Sequence, residues 1–261
     1  MWPNDISHTY KHDLILERPF VNSPGSLGFF PDPHTMPFLG HLGAFITNPI
    51  SLRPRKPADS RACLPFAGGF LLHTGLPNPG IRRVISQNRK RWAKSPLPII
   101  VHLITEPSSP LSEMVRMLEG LENVLAVELG IPHNCEPDAL AGWMEAAQGE
   151  LPVILSLCPQ QIPSLLEPIK TLQPGAVHLT GSRGALPGPE EDTISGRLHG
   201  PGNFPLLLHA MPALVKTEIP VIAGGGVYDQ RQVNALRNSG ATAVSLGSIL
   251  WQVDQNTLFP D

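Results

Sequence analysis

Eight short apolar runs recur along the chain, each the length of a strand rather than of a helix. They occupy residues 19–22, 42–47, 98–104, 124–129, 152–157, 176–180, 220–223 and 243–246. Several open on proline, are rich in Val and Ile and lack polar alternation, as strands covered on both faces do. Stretches of helical period lie between the later runs. Residues 111–122 place Leu111, Met114, Val115, Leu118 and Leu121 on one stripe. Residues 139–147, 162–172, 204–215 and 230–238 read the same way, and Gly or Pro closes most of them. Buried strands alternating with helices predict a parallel (β/α)8 TIM barrel, one domain over residues 1–261. The alternative is an open doubly wound sheet. Its Gly-rich turn would follow the first strand, whereas here the Gly-rich turns follow late strands, where barrels commonly build a phosphate site.

Composition narrows the function classes. The 261 residues are 41% apolar, enough for a sizeable core, and only 16% charged. Thirty prolines imply many short elements and ordered turns. The net charge is −3, and no basic block exceeds Arg89-Lys90-Arg91, so no nucleic-acid partner is expected. Cys63, Cys135 and Cys158 are widely spaced and give no CxxC pair, so neither a disulfide scaffold nor a Cys-rich zinc site is supported. The first residues lack a basic, then apolar, leader, and no run is long enough to span a bilayer. The expectation is a cytoplasmic protein without a membrane partner. Residues 49–96 and 181–203 read as insertions, the second a Gly/Pro-rich loop on the active face. Few residues follow Ser248, so the C-terminal end looks abbreviated. The N-terminal segment, or a partner in a homodimer or hetero-complex, is expected to cover the last groove.

The strongest local signal is Ile219-Pro-Val-Ile-Ala-Gly-Gly-Gly-Val227, followed by a helix and then Gly240-Ala-Thr-Ala-Val-Ser-Leu-Gly-Ser248. Glycines at a strand end let backbone N–H groups approach an anion closely. Two such turns on adjacent strands form a clamp for one phosphate; tight strand-to-helix turning is the plainer explanation of either alone.

This segment resembles the end of the dihydroorotate dehydrogenase family of FMN-binding barrels, and the similarity runs along nearly the whole chain. Arg18-Pro-Phe-Val-Asn-Ser-Pro-Gly25, Gly43-Ala-Phe-Ile-Thr-Asn48, Gly75-Leu-Pro-Asn-Pro-Gly80, Val127-Glu-Leu-Gly-Ile-Pro-His-Asn-Cys135 and Gly196-Arg-Leu-His-Gly-Pro201 carry it in the family's order. The resemblance implies FMN as cofactor. Gly225, Gly226, Gly247 and Ser248 match the phosphate-holding positions, Gly200 a flavin contact, and Gly25 and Thr47 positions near the flavin ring. It also shows departures in the catalytic half. Asn48 stands where a lysine faces flavin and substrate. Leu72 replaces a substrate-binding Asn, Leu155 a second lysine, and Leu179-Thr180 an Asn-Thr or Asn-Ser pair. Gly130, Pro132, His133 and Cys135 occupy the strand-4 catalytic loop.

Polar groups that lose their partners cost about 1–3 kcal/mol each, so a dihydroorotate substrate is not expected. Loss of both lysines also removes charge that stabilises reduced flavin. Candidate replacements at the mouth are His133 or Cys135 as acid/base, with Asn78, His102 and His178 toward a small-molecule substrate. His73, Glu128 and Thr180 are further polar mouth positions, and a His/Glu metal site is an open alternative, although no metal is expected. Three functions follow: a divergent FMN-dependent oxidoreductase acting on a small molecule, a non-catalytic relative serving as a binding or assembly subunit, or a barrel lyase or isomerase on a phosphorylated substrate.

Overall fold

The computed structural model describes residues 14–58, 62–107, 110–188, 192–251 and 258–259. Eight strands form one parallel sheet: β1 (Phe20–Asn22), β2 (Phe45–Ile46), β5 (Ile99–Ile104), β6 (Val124–Gly130), β7 (Val153–Leu157), β8 (Ala176–Leu179), β11 (Val221–Gly224) and β12 (Ala243–Leu246). They pair in the order β1-β12-β11-β8-β7-β6-β5-β2. A parallel bridge from Val21 to Ala44 joins the two end strands. The fold is therefore the (β/α)8 barrel expected from the sequence.

At this seam β2 is only two residues long, and the Asn22 side chain does part of the pairing. Its amide donates to the Ile46 carbonyl at 2.7 Å, and its carbonyl accepts from the Ile46 N–H at 2.8 Å. A buried asparagine satisfies two backbone groups that the short strand leaves over.

Strand alternation sorts the side chains into two layers. Val21, Ala44, Ile46, Ile100, Ala126, Ile154, Ala176, Ile222 and Ala243 fill the barrel interior, with Leu14 and Leu16 joining them. The opposite phase packs outward against the helices α1 (Ile81–Trp92), α2 (Leu111–Arg116), α3 (Pro137–Ala146), α4 (Ile162–Leu172), α5 (Asn203–Val215) and α6 (Gln230–Asn238). Leu155 and Leu179 belong to that outer layer. The residues of β7 and β8 that reach the barrel interior are their neighbours, so the apparent replacement of polar groups by Leu155 and Leu179 is a matter of strand phase.

The two segments read as insertions meet. β3 (Ala62–Phe66), β4 (Gly69–His73), β9 (Arg183–Pro187) and β10 (Thr193–His199) form a second, antiparallel sheet in the order β3-β4-β10-β9. Gly69 and Gly200 allow its close backbone approaches: a Cβ on Gly69 would lie 2.0 Å from the His199 carbonyl oxygen. Asn203 ties this sheet to the barrel. Its amide carbonyl accepts from the Ser182 N–H at 2.9 Å and its NH2 donates to the Leu198 carbonyl at 3.0 Å. The region expected to show an abbreviated closing element holds a 3-10 turn, Ser248–Trp251; residues 252–257 lie outside the described set. Among the described residues no helix is long and apolar enough to cross a membrane.

Candidate active site

A cavity of about 380 Å3 opens between the C-terminal ends of the barrel strands and the antiparallel sheet. One wall is glycine. Gly225 and Gly226 follow β11 with φ of 113° and 78°, a region closed to most side chains. A Cβ on Gly226 would sit 2.6 Å from the Phe204 nitrogen, so this turn also lets α5 pack close. Gly247 and Ser248 form the matching turn after β12. The N–H groups of Gly225, Gly226 and Gly247 donate to no group among the described residues. Ser248 Oγ lies 2.6 Å from the Tyr228 hydroxyl, which links the two turns. Free N–H donors on two adjacent glycine turns fit the phosphate of a nucleotide-like cofactor. Gly25 and Gly200 line the same cavity.

Beneath the cavity lies a cluster from three strands. Glu128 on β6 bridges His102 on β5 and His178 on β8, with Oε1 2.6 Å from His102 Nδ1 and Oε2 2.8 Å from His178 Nδ1. All three are buried. Burial pushes the Glu128 carboxyl up, but both histidines pull harder and hold it well below the usual carboxylate range. His102 lines the cavity, whereas His178 and Glu128 lie below it. The His102 ring rests over Gly130, where a Cβ would come 2.5 Å from Nε2. His178 Nε2 is buried without a partner. No three His, Cys, Asp or Glu groups among the described residues are placed to hold a metal ion, so the His/Glu cluster does not form the metal site left open above.

The remaining sequence candidates divide. His133 lines the cavity; Cys135 does not. The Cys135 thiol donates to the Glu136 carbonyl at 3.2 Å, and burial pushes its pKa up to about 11. Cys158, at the end of β7, lines the cavity instead, with Sγ 3.7 Å from His133 Nδ1 and 3.2 Å from Gln161 Oε1. Its pKa is also raised, by burial, against the opposing pull of Arg197. Thr47 is buried behind the mouth, its Oγ1 accepting from the His102 N–H at 3.1 Å. Asn48 accepts from the Gly28 N–H at 3.0 Å and does not line the cavity. Asn78 is consumed by the turn it makes: its carbonyl accepts from the N–H groups of Ser51 and Gly80.

Sequence reasoning placed His73 at the mouth but missed Arg183, Arg197 and His199 and the antiparallel sheet that carries them. That sheet brings Leu72, His73, Arg183, Arg197 and His199 to the cavity. His199 stacks on Phe70 at 4.8 Å, and Trp251 stacks on His199 at 5.9 Å. Burial, then Arg197, pushes the His199 pKa down to about 4. The available signal was the pair of arginines in two Gly-rich segments; nothing local indicated that the segments pair with each other.

These features define a class: a (β/α)8 barrel with an anion cradle at its last two strands and a cationic, sheet-covered mouth. Comparison with known proteins narrows it, since the chain resembles the dihydroorotate dehydrogenases over nearly its whole length. It is 24% identical to the catalytic subunit of dihydroorotate dehydrogenase B (NAD(+)) of Desulforudis audaxviator, over 90% of this chain and 83% of that one. The same subunit from Geobacter metallireducens is 26% identical over 90% and 84%. A dihydroorotate dehydrogenase of Eimeria tenella, solved with ferulenol, superimposes with a TM-score of 0.72, covering 98% of this chain and 82% of that one at 13% identity. FabK of Thermotoga maritima gives 0.51, covering 90% and 59% at 19% identity. No family model matches the chain.

Proposed function

We propose that the protein is an FMN-dependent oxidoreductase whose substrate is a small molecule other than dihydroorotate. The observation that carries the flavin assignment is the double glycine cradle with its unused N–H donors. The whole-chain similarity to dihydroorotate dehydrogenases supports it. FMN, when bound, supplies hydride transfer; the chain's own residues bind, orient and move protons. Gly225, Gly226, Gly247 and Ser248 would hold the FMN phosphate, and Gly25 and Gly200 would stand near its ring. His133, rather than Cys135, serves as acid/base, with the Cys158 thiol 3.7 Å from its Nδ1. His102 is held by Glu128 in one orientation, its Nδ1 hydrogen donated to the carboxylate and its Nε2 left as an acceptor at the mouth.

The altered substrate rests on the cavity lining, which contains no lysine among the described residues. A second reading, a binding subunit without turnover, draws on the same fact, because no ammonium stands ready to stabilise reduced flavin.

The test is direct. Purified protein incubated with FMN is expected to retain about one flavin per chain after gel filtration, and Gly226→Ala to lose it. Wild-type protein that keeps no flavin overturns the assignment. Bleaching of bound flavin by NADH, or by a carboxylate or pyrimidine donor, separates the enzyme from the binding subunit.

A further inference from the structure

We propose that Arg183 and Arg197 form a subsite for a carboxylate group of the substrate, on the sheet that covers the cavity. The proposal deepens the reading above and takes from it only that this cavity is the substrate site.

The two residues face each other in the β9–β10 ladder, and both line the cavity. Like charges directly opposite on a sheet repel. Among the described residues, neither guanidinium has an ion-pair or hydrogen-bond partner, while the other charges near the mouth are already answered. Arg55 is paired with Glu106, and Glu128 is shared by two histidines. Among the described residues no aspartate or glutamate lines the cavity. Arg197 is half-buried, so its charge is kept from water without being neutralised. Burial and the facing Arg183 both press against that charge.

An anion set between the two forks removes the repulsion and satisfies donors that nothing else in the site reaches. A planar carboxylate matches a guanidinium through two parallel N–H···O bonds. The phosphate of the cofactor has its own seat on neutral N–H groups, so the arginine pair remains for the substrate. Below it stand Ser156, Cys158 and Thr180, all lining the cavity. A carboxylate held here directs the rest of a small molecule toward His133 and the barrel axis.

The test is titration calorimetry of the intact protein with orotate, fumarate and benzoate, each paired with its neutral amide. At least one acid is expected to bind about tenfold or more tighter than its amide, with affinity falling as salt rises. R197Q and R183Q should each weaken that acid about tenfold or more and bring it level with the amide. R197K should recover only part, because an ammonium cannot make the two-pronged contact. Arg183 is exposed, so R183Q carries the result even if R197Q fails to fold. The proposal is overturned if no acid binds at roughly millimolar concentration, if acid and amide bind alike, or if both variants bind as the wild type does. Flavin uptake is scored separately. Protein that takes no FMN but distinguishes acid from amide sinks the flavin reading and keeps the subsite, and the converse result does the reverse.

Discussion

Removing the Glu128 carboxylate leaves His102 and His178 facing a buried space with no acceptor for their protons. Breaking a buried ionic cluster by deleting one member costs about 3–5 kcal/mol, so Glu128→Ala should lower the unfolding free energy by that amount in urea titrations. An unchanged midpoint would show that the three groups do not act together. His199 makes a different demand. Its pKa is pushed from 6.5 down to about 4, so the native protein keeps it neutral where the unfolded chain binds a proton. Stability therefore falls as pH drops from about 6.5 and levels off below about 4. Glu128, held below its ordinary 4.5, adds a further loss as pH falls through that value. His199→Gln should flatten the first part of this acid limb in a pH series of urea midpoints. A slope equal to that of the wild type would contradict the assignment. Both histidines of the Glu128 cluster were legible as polar strand-end residues. So was Glu128, but not that it bridges the two, because periodicity places residues on faces without saying which strands become neighbours.

At the scale of elements, the barrel seam is the place to press. Asn22→Ala removes both bonds that join the end of β1 to β2. Two buried backbone groups left unpaired at about 1–3 kcal/mol each should cost about 2–6 kcal/mol in total. Asn22→Asp should rescue little, since a carboxylate cannot donate to the Ile46 carbonyl; parity with wild type in thermal melts would refute the seam argument. Gly226→Ala tests the cradle: its Cβ meets the start of α5, so the melting temperature should fall together with flavin retention. All eight barrel strands stood out in the sequence because each is a short run dominated by apolar residues. The helix expected over 111–122 ends as Leu111–Arg116, and Gly120 adopts a φ of 74° in the turn beyond it. β9 and β10 were missed for a physical reason. They are half exposed, each is interrupted by a glycine, and the pairing of β10 with β4 is set by the barrel that brings them together. Strand phase was the subtler loss, since reading Leu155 as a mouth residue placed it one position out of register.

For the whole molecule, the two sheets should differ in how readily they open. The barrel strands β5–β8 are buried on both faces, whereas the antiparallel sheet is half exposed along β9 and β10. Hydrogen exchange should be slowest in β5–β8 and faster in β3, β4, β9 and β10, with a ligand in the cavity slowing β10 most. Uniform protection across both sheets would show that they unfold as one unit. The fold as a whole was legible, and so was the glycine wall of the site. The arginine wall was not, because Arg183 and Arg197 face each other only once β9 and β10 have paired, and the sheet that holds them is joined to β4, more than a hundred positions earlier. That separation sets an order of events during synthesis. The hairpin of β3 and β4 emerges from the ribosome early, carrying one strand edge with nothing to bind. It must wait for four further barrel strands before β10 arrives to zip against it. Until then the nascent chain holds an open cup, and an edge that a chaperone, or a stray strand from a neighbouring polypeptide, is free to occupy first.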